Sequence, residues 1–253
     1  MSLSPGSSGS PEQAASETRY FRYTFSFEDG TERTFEVHLD PVTLALVAPI
    51  SDPLPEWTRL ENEQCPNCPL SPKRAPHCPI AARVVPLLQI FGGRESHELC
   101  LVTVEGPQRT YSRRTSLQRG LSSLLGIFMV SSGCPVMDKL RPMLDTHLPF
   151  ASQEETIYRM ISSYLVTQYF RQRKGWPTDW RLKDFPARLQ EISTVDRAFA
   201  KRLRSVGIRD AGLNAIVILN TFGEMTSFTI EEEDWDRLEA LFLRAETRDA
   251  PVP

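Results

Sequence analysis

The chain has 253 residues, 40% hydrophobic and 24% charged, with a formal net charge of −3. That is long enough to bury a core without covalent staples and ordinary for a globular protein. It argues against nucleic-acid binding, since the densest basic run, Arg171-Gln172-Arg173-Lys174, closes a helical pattern where cations complement exposed carbonyls. It argues against a membrane span too, because the longest apolar run (121–130) is broken by serines and a glycine and falls short of about 20 residues.

Residues 1–17, rich in Ser, Gly and Pro, read as a disordered tail with neither the basic nor the apolar region of a leader peptide. The expected compartment is therefore the cytoplasm, where thiols stay reduced. Residues 20–27 alternate, with Phe21, Tyr23, Phe25 and Phe27 on one face. Asp29-Gly30 predicts a hairpin turn, 34–39 a second strand, and 42–47 a third. Residues 51–79 form a Cys/Pro-rich loop with little to bury, so something other than a core must hold it. A helix follows over 79–91, with Pro79 in its first turn, where a missing N–H costs nothing.

Residues 98–105 and 108–113 predict a second hairpin around Gly106-Pro107. Residues 115–132 are helical in pattern, with Gly120, Ser122, Ser123 and Gly126 small enough for close approach and Gly133 suited to the C′ position. A short helical piece over 136–145 is interrupted by Pro142. Ser152 followed by Glu155 is a capping-box signature opening a long helix. Three more helices are predicted over 180–205, 210–222 and 231–244, before a tail at 248–253. Segregated strands and helices give an α+β fold: an N-terminal antiparallel sheet packed on a mostly helical C-terminal half, in one domain over 18–247.

Five cysteines are present, and four of them, Cys65, Cys68, Cys78 and Cys134, are each followed by proline; Cys100 is not. An odd count in a reducing compartment argues against a disulfide framework. Cys65 and Cys68 are spaced to turn both sulfurs to one point, and tetrahedral thiolate sites need four donors at about 2.3 Å from the ion. The shared Cys-Pro pattern assigns Cys78 and Cys134 as the other two, and leaves Cys100 as a core residue on a strand. Zinc is the expected ion, from the CxxC pair. An iron–sulfur cluster is the alternative, from an all-thiolate set with a proline after each member. His77, next to Cys78, could replace one cysteine as ligand. Without a cation the thiols would be buried side chains or an exchange pair.

A second candidate centres on His147 and Glu155, with Arg159 one turn after Glu155 and Tyr158 beside it. A histidine near a carboxylate can act as general base. The same residues also read as a capping box and a surface Glu155–Arg159 pair, with His147 packed in a turn. No H-E-x-x-H, G-x-S-x-G, phosphate-binding loop or dinucleotide fingerprint occurs.

The segments CPNCPL, HCPIA, SSGCP, LRPMLDTHLPF and EETIYR, within residues 57–170, resemble an uncharacterised bacterial protein family. The resemblance implies a bacterial source and carries over no activity, substrate or cofactor. The sequence thus predicts an intracellular protein with a four-cysteine metal site that most simply serves structure. Its activity would lie in binding a protein partner, with no membrane or nucleic acid involved. Electron transfer or redox sensing follows if the group is a cluster, and an enzyme if His147 and Glu155 act together.

Overall fold

A computed structural model of the chain describes residues 19–91, 93–207, 211–232 and 235–244. The expected tails, 1–17 and 248–253, lie outside the described residues. Four strands form one antiparallel sheet in the order β2-β1-β3-β4: β1 (Arg19–Phe27), β2 (Glu32–Leu39), β3 (Leu99–Glu105) and β4 (Thr110–Ser116). Both predicted hairpins form. The first turns at Gly30, whose φ of 80° suits the residue, while the Asp29 carboxylate accepts the Thr31 N–H.

The expected third strand over 42–47 does not form. The Asp40 carboxylate accepts the N–H groups of Val42 and Thr43, which turns the chain, and only Leu46 bridges back to Leu39. A side-chain acceptor two residues before the run competes with the ladder for the same amides.

One face of the sheet carries the buried Tyr23, Phe25, Phe27, Val37, Leu39, Val102 and Val104. Helix α2 (Leu117–Ser131) packs against it and is buried nearly all round. Its Gly120 is where helix and sheet meet most closely: a Cβ there would lie 2.7 Å from Phe25 and 2.9 Å from Val102. Six other helices complete the described fold: α1 (Pro79–Phe91), the short α3 (Pro142–Asp145), α4 (Gln153–Arg173), α5 (Phe185–Ser205), α6 (Ala211–Glu231) and α7 (Asp236–Leu243). The architecture is α+β. Among the described residues no helix is long and apolar enough to cross a membrane.

Replacing Gly120 by Val should cost about 1–3 kcal/mol of stability, because neither the Phe25 ring nor Val102 can withdraw from a buried sheet face. Urea unfolding followed by circular dichroism measures this, and Gly133→Ala, where nothing lies within 4 Å, reports the separate cost of a φ of +95°.

Candidate functional site

Residues 51–78 contain little regular structure, yet they are held at defined points. Leu60 N–H donates to the Pro76 carbonyl at 2.9 Å and Cys78 N–H to the Thr58 carbonyl at 2.8 Å, so the loop closes on itself. Cys68 N–H donates to the Cys65 carbonyl at 3.0 Å, making the CxxC a tight turn. Asn67, between those cysteines, donates to the Glu191 carbonyl on α5 at 2.9 Å.

The strongest tie is Arg202 of α5. It is 2% exposed, and its guanidinium donates to the carbonyls of Trp57 at 2.8 Å, Arg59 at 2.5 Å and Leu60 at 3.2 Å. Among the described residues it makes no ion pair. Arginine keeps its charge when buried, so a positive charge sits inside the protein facing only neutral acceptors and the cysteine loop.

Four cysteines come together beside it. Cys65, Cys68, Cys78 and Cys134 line one cavity of about 20 Å³, with Leu60, Val195, Phe199 and Arg202 among its other walls. Cys100 is elsewhere, on β3, with its thiol 3.7 Å from the Thr115 carbonyl. His77 is also outside the cavity lining, and its Nδ1 pairs with the Thr58 hydroxyl at 2.7 Å. All five thiols are free. Among the described residues no three His, Cys, Asp or Glu side chains are drawn together as a formed set of metal ligands. The four thiols therefore share a cavity without converging on one point.

The chain around two of them explains the Cys-Pro pattern. The Cys78 carbonyl accepts the Ala82 N–H, placing Cys78 at the N-cap of α1 with Pro79 first in the helix. The Cys134 carbonyl likewise accepts the Asp138 N–H at the start of a helical turn. In both, the amides two and three residues on donate to the cysteine sulfur: Ile80 and Ala81 to Cys78, Val136 and Met137 to Cys134. Proline supplies a fixed φ where no donor is needed, and the next two amides favour a thiolate.

Burial works against that. It raises the pKa of Cys78 and of Cys134, each offset by these amides. At Cys65 burial is the largest cause, the neighbouring Cys78, Cys134 and Cys68 add to it and Arg202 opposes it, and together they push the thiol up to about 12. Four thiolates this close would repel one another, and a cation taking the place of the protons would relieve that repulsion. Four sulfurs around an atom-sized apolar cavity beside a guanidinium have the chemistry of a four-thiolate site, but among the described residues they are not gathered as a formed ligand set.

The second candidate is distributed differently. Glu155 is committed to the capping box: its carboxylate accepts the Ser152 N–H at 2.7 Å and its own N–H donates to the Ser152 hydroxyl at 3.2 Å. His147 instead pairs with the buried Tyr23 hydroxyl at 2.6 Å. Burial, helped by the charge of Arg159, lowers the His147 pKa to about 3, so the ring is neutral at physiological pH. The expected Glu155–Arg159 ion pair is absent; Arg159 donates to the Met143 carbonyl at 2.8 Å.

Sequence reasoning missed Arg202. The signal was present: Val195, Phe199 and Arg202 follow one another at helical spacing on a face otherwise apolar, which is no place for a solvated cation. Comparison with known proteins adds a family and nothing finer. A family model described as "Domain of unknown function (DUF6901)" matches residues 21–243. No curated protein and no solved structure matches the chain.

Replacing Arg202 by Met should leave three carbonyls short of a donor and release the loop. The expected result is a loss of about 3 kcal/mol or more in urea unfolding, with labelling of Cys65 and Cys68 by Ellman's reagent about tenfold faster than in the parent protein. For His147, the folded pKa lies below the unfolded value of 6.5, so the stability tied to its neutral form is complete above that pH and is lost as pH falls towards about 3. His147→Gln should flatten the fall in melting temperature across that window.

Proposed function

We propose that this chain, which belongs to the DUF6901 family, is a metal-binding protein in which Cys65, Cys68, Cys78 and Cys134 hold a single zinc ion in a structural role. The observation that carries the reading is the meeting of the three loop cysteines with the distant Cys134 in one apolar cavity beside Arg202, a buried positive charge with no carboxylate partner among the described residues. The ion would neutralise thiolates that otherwise repel. It would also fasten the 51–78 loop to the segment leaving α2, and so the sheet half to the helical half. Its chemistry there is electrostatic and conformational. In this reading the protein acts by binding a partner, inside the cell.

A second reading is favoured by the donor set itself. Four thiolates with no histidine, in an apolar setting and with backbone amides donating to two of the sulfurs, also suit an iron–sulfur cluster in electron transfer or redox sensing.

Anaerobic purification without chelator, followed by elemental analysis, acid-labile sulfide assay and an absorption spectrum, separates the two. About one zinc per chain in a colourless protein is the expected result. Iron and sulfide with a broad visible band would replace zinc by a cluster, and a protein with neither would overturn both. Serine at Cys65, Cys68, Cys78 or Cys134 should each lower metal content and melting temperature, while Cys100→Ser leaves the metal content unchanged.

A further inference from the structure

A second site lies away from the cysteines and shares no lining residue with their cavity. It is an open groove of about 900 Å³ between the tip of the β3–β4 hairpin, the turn that carries His147, and one face of α4. That volume is in the range that holds a small organic molecule.

Its charge is unusual for this chain. Three guanidiniums line it, Arg19, Arg109 and Arg159, against the single carboxylate of Asp145, although the protein as a whole is acidic. Arg19 and Asp145 satisfy each other at 2.6 Å. Among the described residues the hydrogen bond of the Arg109 guanidinium is to the Tyr111 hydroxyl, at 3.3 Å. Arg159 spends one amino group on the Met143 carbonyl, and its Nε is buried with no partner. Among the described residues neither Arg109 nor Arg159 forms an ion pair with a carboxylate, so two guanidiniums of the lining keep their charge uncompensated by a bound anion.

The rest of the lining is mixed, with polar residues such as Ser162 and Thr167 beside exposed apolar and aromatic side chains. On α4, Val166 and Phe170 are more than half exposed, at 53% and 55%, and Tyr158 stands at 44%. Phe21 and Tyr111 from the sheet line the groove as well. His147 contributes a neutral ring, so the positive charge of the groove comes from its arginines. An apolar cleft with a few convergent donors recognises a molecule with a flat apolar body and an anionic end.

We propose that this groove binds a small aryl carboxylate, with the carboxylate between Arg159 and Arg109 and the ring against Tyr111, Val166 and Phe170. The site is independent of the metal reading, since neither its residues nor its chemistry involve the cysteines.

Calorimetric titration of the full chain with 2-naphthoate and with its neutral counterpart 2-naphthylmethanol tests this. The expected result is saturable one-to-one binding of the naphthoate, about tenfold tighter than the alcohol. Arg159→Met and Arg109→Met should narrow that preference, and Val166→Trp, on an exposed face and so neutral to folding, should abolish binding by filling the groove. Should Arg159→Met fail to fold, Arg109→Met and Val166→Trp carry the test. No saturable binding at millimolar naphthoate, equal affinity for acid and alcohol, or full binding in Val166→Trp would each overturn the proposal.

Discussion

The loop that carries three of the cysteines depends on one buried guanidinium. Arg202 gathers the carbonyls of Trp57, Arg59 and Leu60 around a single planar group, and a planar fork of donors is well matched to several carbonyls at once. Residues 51–78 have few apolar side chains with which to anchor themselves, so polar ties from α5 do the anchoring. Asn67 to Glu191, and Lys201 to Glu63 at 2.6 Å, extend the same contact along that helix. The cost is a charge in the interior. Hydrogen bonds to carbonyls lessen that cost and do not cancel the charge, and the thiol-lined cavity beside it is where negative charge would be most stabilised.

Cys-Pro serves two purposes at once. At Cys78 it starts α1, with the cysteine as N-cap and proline fixing the first φ, and at Cys134 it opens the turn that leads into the 3-10 segment Met137–Leu140; in both, the amides two and three residues on donate to the sulfur. The local structural reading and the metal-ligand reading of the motif therefore do not compete. A helix N-terminus that favours negative charge on its cap is also a good place to hold a thiolate.

The sheet side of the molecule has its own constraint. Tyr23 is fully buried, and its hydroxyl meets both Ser123 of α2, at 2.9 Å, and His147, at 2.6 Å. Close approach at Gly120 brings α2 near enough for this contact. His147 is thereby fixed as a neutral structural partner at the edge of the arginine-lined groove, and Glu155, a turn into α4, serves the helix start.

By itself the sequence determined what is local. The alternation in β1 and β3, the Asp29-Gly30 turn, the Ser152–Glu155 capping box, Gly133 as helix terminator and the start of α1 at Pro79 each rest on neighbouring residues and backbone sterics. It also set four cysteines apart from the fifth, because a repeated dipeptide needs no fold to be seen. Tertiary structure decided the rest. Whether 42–47 joined the sheet turned on competition between the Asp40 carboxylate and a neighbouring strand. The partners of His147 and Glu155 turned on which groups packing brought within reach, and the role of Arg202 on a loop far away in the chain. Long-range placement follows from packing the whole core, and no spacing in the sequence encodes which buried charge will face which cavity.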